Sequence, residues 1–154
     1  MHLPRLTRKN AVAAVLIGGI IVCLIIMFVS VLRAGSIIPG YYGVKTDEDR
    51  LIFIRSFGWE VSADYTKSDV TIPAEFDSVY TEYNRMQIAQ GLDLRKIAGR
   101  SAELYTYSVL NHPSGEENVS LNILVYKNKV VGGDVMSPRL DGFMHGFEMP
   151  ASGE

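Results

Sequence analysis

Cysteine is nearly absent from this sequence. Of 154 residues only Cys23 is one, and it falls inside a long apolar run. The rest of the chain therefore has no thiolate nucleophile, no disulfide and no cysteine ligand for a metal. Positive charge is also scarce beyond that run. Arg5, Arg8 and Lys9 account for three of the fifteen basic residues, which leaves twelve against seventeen acids, a net of −5 over residues 33–154. Nucleic-acid binding needs a basic footprint, so that class is excluded. The familiar catalytic signatures are missing as well: there is no HExxH pair, EF-hand loop, GxSxG elbow or SxxK pair. Ser101, Ser108 and Ser120 have no base close to them in sequence, and Gly132-Gly133-Asp134 is too short for a phosphate loop. The chain reads as a non-enzyme that uses no cofactor.

What is present begins with the apolar run. Residues 11–32 contain no charged side chain. As a helix the run measures about 33 Å, against a bilayer core of about 30 Å. A cleaved signal has a shorter apolar stretch and a small-x-small cleavage site, and Val31-Leu32-Arg33 is a poor one. A lipoprotein signal is also excluded, because Cys23 follows Ile21-Val22 in mid-run. The expectation is an uncleaved signal-anchor: a single-pass transmembrane helix whose partner is the lipid bilayer. Arg5, Arg8 and Lys9 precede it, and only Arg33 follows closely. Basic residues stay on the cytoplasmic side. Residues 1–10 are thus expected in the cytoplasm and everything after the anchor outside it. A cysteine-free extracytoplasmic domain suits a bacterial envelope better than a small secreted eukaryotic domain, which is usually stapled by disulfides.

Residues 33–45, RAGSIIPGYYGVK, have a linker's composition, and the domain is expected over 46–149, with 150–154 a disordered tail. Thr46 followed by three acids predicts a helix start, Leu51, Phe53, Ile54 and Phe57 its apolar stripe, and Gly58 its left-handed end. Two short strands are expected next, at Trp59–Val61 and Val70–Pro73. A second helix follows over 74–90, where Phe76, Val79, Tyr80, Tyr83 and Met86 recur at helical spacing. Gly91 should stop it, and Asp93 should cap a short turn that Gly99 ends. The last third alternates with period two through Tyr105, Tyr107 and Val109, then Val119, Leu121, Ile123 and Val125. Lys127-Asn128 predicts a tight hairpin, and Gly132-Gly133 a bulge or a close backbone approach. The fold class is therefore α+β: an N-terminal transmembrane helix, then a small two-layer domain with two helices on an antiparallel sheet that ends in a three-stranded meander.

Four stretches carry a resemblance: FGWEV at 57–61, IPAEFDSVYTEYN at 72–84, QGLDL at 90–94 and VVGGDV at 130–135. Together they resemble a bacterial family of membrane-anchored extracytoplasmic α+β domains of unknown function, over about residues 46–147. The resemblance implies fold and location and supplies no activity. It also implies an aromatic after Asn111, where this chain has His112.

Candidate sites have bland readings beside sharper ones. Gln87, in the apolar stripe of the second helix, should bond strand backbone and fix how helix and sheet dock, with Asn84 at the stripe's margin; the alternative is a ligand-reading role. His112, Asp134, Asp141 and His145 are the only set with metal-ligand chemistry. Their spacing matches no known site, so no metal is assigned. Glu116 and Glu117 should be solvated. Phe143, Met144, His145 and Phe147 either complete the core or form an adaptable patch that receives a partner. The expected function is a membrane-tethered binding module that engages another envelope or membrane protein. The alternatives are a ligand sensor coupled to a membrane partner, or a modulator of an envelope protease or wall enzyme. Labelling of intact cells with a membrane-impermeant amine reagent checks the topology. Lys127 and Lys129 should be modified without lysis; modification only after lysis would mean the opposite orientation.

Overall fold

The computed structural model describes residues 43–151. The proposed anchor 11–32 and residues 152–154 lie outside them. Among the described residues no helix is long and apolar enough to cross a membrane. Val44, in the stretch read as linker, is buried, and the Gly43 and Val44 N–H groups both donate to the Asn128 carbonyl.

Helix α1 spans Asp47–Ser56. Its start is a reciprocal capping box, with the Thr46 hydroxyl accepting from Asp49 N–H and the Asp49 carboxylate accepting from Thr46 N–H. The helix ends as expected at Gly58, which has φ +86° and donates to the Arg55 carbonyl at 2.9 Å. Strand β1 then runs without interruption over Val61–Thr71, which corrects the expectation of two short strands. The joining residues, ADYTKSD, are polar and exposed. Side-chain pattern does not mark them as a strand; their backbone pairing with the next strand does.

Helix α2 covers Ser78–Ala89, four residues later than expected at its start. Asp77 sets that start, accepting from Tyr80 N–H at 2.7 Å. A short 3-10 turn, Leu94–Ile97, is capped by Asp93. Strands β2 (Ser101–Val109), β3 (Ser120–Tyr126), β4 (Lys129–Met136) and β5 (Met144–His145) complete an antiparallel sheet in the order β1-β2-β3-β4-β5. The meander thus has five strands. The fifth is part of the segment whose role was open in the sequence. Lys127 and Asn128 turn β3 into β4 with φ of 49° and 60°, the tight hairpin expected.

The helices do not share a face, so the two-layer expectation is corrected. Tyr105, Tyr107, Val109, Leu121 and Ile123 project from one face into a core with Phe53 and Ile54 of α1, Trp59 and Phe147. Ala102, Leu104 and Leu124 project from the other into a second core with Leu94 and Ile97 of the 3-10 turn and Phe76, Tyr80 and Tyr83. Strands with apolar residues at both parities need covering on both sides. Burying each large side chain contributes about 1.5–3 kcal/mol. Within the first core Phe53 and Phe147 meet edge to face, 5.0 Å between ring centres.

Gly58→Val tests the end of α1. A Cβ there has room, with its nearest neighbour the Met149 Cε at 3.6 Å, so the loss is one of backbone conformation alone. A β-branched residue at positive φ should lower stability by about 1–3 kcal/mol, read as a lower melting midpoint of the full chain. Gly58→Asn should lose less. Equal midpoints for all three proteins would remove the conformational argument.

Candidate functional site

Only Asn84 and Gln87 of α2 are fully buried; the apolar residues of its stripe are not. The helix docks through amides. Asn84 donates to Asp93 at 3.0 Å and accepts from Leu94 N–H at 2.8 Å, which ties α2 to the 3-10 turn. Gln87 accepts from Gly133 N–H at 2.9 Å and donates to the Gly133 carbonyl at 3.0 Å. Strand β5 pairs with β4 only at Val135 and Met136. The Gln87 amide therefore supplies Gly133 with the partner that a longer β5 would have given. Gln90 adds a donor to the same carbonyl at 3.2 Å and accepts from Phe147 N–H at 2.6 Å. The backbone at both glycines is closely approached. A Cβ on Gly132 would lie 2.9 Å from Leu94 Cδ2, and one on Gly133 would lie 2.3 Å from the Asn122 carbonyl oxygen. The docking role expected of Gln87 is what the geometry shows.

With its amides turned inward, α2 leaves Val79, Tyr83 and Met86 along one side of a groove. Asp134 lies at the floor and Met144, His145 and Gly146 form the opposite wall; the volume is about 1020 Å³. Val79 is 75% exposed. The stripe that looked like a core-facing surface is thus largely a groove wall.

The floor is held by a polar ladder. Thr106, Asn122 and Asp134 stand directly across from one another on β2, β3 and β4. Thr106 donates to Asn122 Oδ1 at 2.7 Å, Asn122 donates to Asp134 Oδ1 at 2.8 Å, and the Tyr83 hydroxyl donates to Asp134 Oδ2 at 2.8 Å. Burial pushes the Asp134 pKa up, and the Asn122 and Tyr83 donors offset part of that rise. Tyr83 is raised by the same burial and then by the neighbouring carboxylate. The ladder presents a carboxyl of fixed orientation to an apolar space.

Beside the groove lies a stack of rings. His112 sits between Trp59, at 5.6 Å and 6°, and Phe143, at 4.4 Å and 13°. The histidine thus packs as an aromatic would, the role that the resemblance implied for this position. His112 Nδ1 accepts from Ser114 N–H at 3.2 Å, which leaves its Nε2–H to donate to His145 Nε2 at 3.2 Å. His145 then carries its proton on Nδ1 and donates to the Gly146 carbonyl at 2.7 Å.

The four metal-type residues are only partly brought together. His112 and His145 touch. Asp134 is occupied by Tyr83 and Asn122, while Asp141 pairs with Arg139 on the surface. Among the described residues no group of three or more metal-binding side chains forms. Ser108 and Ser120 face each other across β2 and β3, and Ser101 opens β2. Glu116, expected in solvent, accepts from the Ser137 hydroxyl at 2.7 Å and ties the β2–β3 loop to the residues after β4. Of the patch residues, Phe147 is 1% exposed and belongs to the core, so its ring is closed to a partner. Phe143 and His145 are half-buried, and Met144 is exposed on the groove's rim. Sequence reading missed Glu82 and the groove role of Tyr83, Met86 and Asp134. The one signal was a Tyr and Met stripe on a helix whose buried positions are amides.

Fold and site together define a small domain built around an antiparallel meander, covered on both faces, with an open groove that has Asp134 at its floor. The chain belongs to a family described as a domain of unknown function, DUF4830, which matches residues 53–135. All four motif stretches fall inside the matched residues. No curated protein and no solved structure matches the chain.

The ring stack predicts a pH dependence. Burial, and then His145, hold the His112 pKa below 6.5, against a smaller upward pull from Glu116. A pKa depressed in the fold favours the neutral ring. That stability is present above the unfolded value and is lost as pH falls through the folded one. His112→Phe keeps the stack and removes the titration. Between pH 7 and pH 5 the parent's melting midpoint should fall further than the variant's. Parallel profiles would show that His112 does not titrate with folding.

Proposed function

We propose that this protein is a membrane-tethered binding module of the bacterial envelope, held outside the cytoplasm by residues 11–32. Its groove receives an extended segment of another envelope or membrane protein. The observation that carries this reading is the groove itself, about 1020 Å³, walled by Val79, Tyr80, Tyr83, Met86 and Met144. An apolar concavity with a few fixed polar groups is the usual form of a binding site. Tyr and Met walls suit a peptide, because they give large contact area and adapt in shape. The carboxyl-bearing lining residues are Glu82 and Asp134, and among the described residues no Lys or Arg lines the space. The segment that fits presents apolar side chains and one basic one. Phe143, Met144 and His145 lie at or beside the rim and extend the contact; Phe147 supports them from the core.

Site-specific photo-cross-linking in intact cells tests this. A photoreactive residue at Val79, in the groove, should give a cross-link to one envelope or membrane protein. The same residue at Ile52, an exposed apolar position on α1, should not. Met86→Lys, which places a cation in the groove, should abolish the Val79 product. Equal products at both positions, no product at Val79, or a product that survives Met86→Lys would each overturn the groove as the docking site.

A further inference from the structure

We propose that β1 is the interface for a second copy of this chain, which adds its own β1 antiparallel and makes one continuous ten-stranded sheet. The inference is independent of the groove, which lies toward the β4–β5 side. Among the described residues strand β1 is the sheet's edge, with β2 its sole neighbour. At eleven residues it is the longest strand, and it contains no proline. A long unpaired edge is a template for another strand.

Two separate features select the same pairing. The first is geometric. Tyr65–Thr71 is the stretch of β1 that pairs with β2 without a register shift; the irregularity lies before Tyr65. Full overlap of two such stretches across a two-fold axis puts Ser68 opposite Ser68. The second is electrostatic. With Ser68 on the axis, Lys67 of each copy stands opposite Asp69 of the other, on the same face of the sheet. Shifting the axis by one residue either way sets Lys67 against Lys67 or Asp69 against Asp69. Like charges directly opposite are destabilising, and unlike charges are favourable.

Asp69 has a reason to accept such a partner. In its own chain it stands directly across from Glu103, a second carboxylate. Lys67 pairs with Glu103, and among the described residues Asp69 makes no ion pair. The neighbouring copy's Lys67 brings a cation to this acidic pair. Thr66 then faces Val70, and Tyr65 faces Thr71, with no proline or bulge in the paired stretch.

Disulfide trapping of the full chain in detergent tests this, with Cys23→Ser as background so that no other thiol is present. Strands paired in register hold opposite Cα atoms about 4.5–5.5 Å apart, within disulfide reach. Ser68→Cys should oxidise to a dimer at least tenfold faster than Ser62→Cys, which lies outside the paired stretch. In the Ser68→Cys protein, Lys67→Asp should slow the reaction at least tenfold. Adding Asp69→Lys should restore it, because the exchanged charges still face each other and Lys at position 69 faces Glu103 within the chain. Equal rates for Ser68→Cys and Ser62→Cys would overturn the pairing. So would a double exchange that remains as slow as Lys67→Asp alone while circular dichroism shows the protein folded.

Discussion

A side-chain amide stands in for a strand. Gln87 meets both backbone groups of Gly133 where β5 is too short to reach them. A buried N–H or C=O without a partner costs about 1–3 kcal/mol, so this edge of β4 could not be closed over by an apolar helix face. The consequences spread from there. At Gly133 a Cβ would meet the Asn122 carbonyl and the Phe147 ring, each at 2.3 Å, and at Gly132 it would press on Leu94 of the 3-10 turn at 2.9 Å. Gln90, beside Gln87, holds the backbone of Phe147, which in turn fills the core under α1 and accepts from the Trp59 indole at 2.6 Å. Two neighbouring amides, Gln87 and Gln90, thus couple the two cores on opposite faces of the sheet.

The groove is a by-product of the same arrangement. A helix that docks through Asn84 and Gln87 turns Val79 and Met86 toward an open space, and Tyr80 and Tyr83, packed on the second core, line that space as well. The sheet beneath carries polar residues at the matching height, Thr106, Asn122 and Asp134, each satisfied by its neighbour. Such a ladder is tolerated in a sheet because every member has a partner, and it fixes the carboxyl with little freedom. Among the described residues no buried side-chain nitrogen or oxygen lacks a hydrogen bond. The polar interior is therefore a built feature of the fold.

His112 combines the packing of an aromatic with the hydrogen bonding of an imidazole. Its ring is flat and fits between Trp59 and Phe143 as an aromatic would. Burial holds its pKa below the ordinary value, and its neighbour is a second histidine on β5 that lines the groove. Packing alone would have been served by Phe. The imidazole adds a hydrogen bond to His145 of β5 that a phenyl ring could not make.

Much of the fold was legible in the sequence, because it depends on local physics. Thr46 and Gly58 bound a helix by capping and by positive φ, Lys127-Asn128 makes a hairpin by the same φ preference, and β2 and β3 alternate with period two. The 22-residue uncharged run, the missing cysteines and the acidic balance are likewise properties of sequence alone. Other features came only with the tertiary structure. The polar stretch of β1 is a strand because β2 pairs with it, and no side-chain pattern announces that. The helices lie on opposite faces because β2 and β3 are apolar at both parities; the alternation through Tyr105 and Leu121 drew attention to one face and hid Leu104 and Leu124 on the other. Val79, Tyr83 and Met86 have the spacing of a core stripe, and periodicity places residues on one face of a helix without saying whether that face meets protein or solvent. Gln87 decides it, through hydrogen bonds to a residue forty-six positions away.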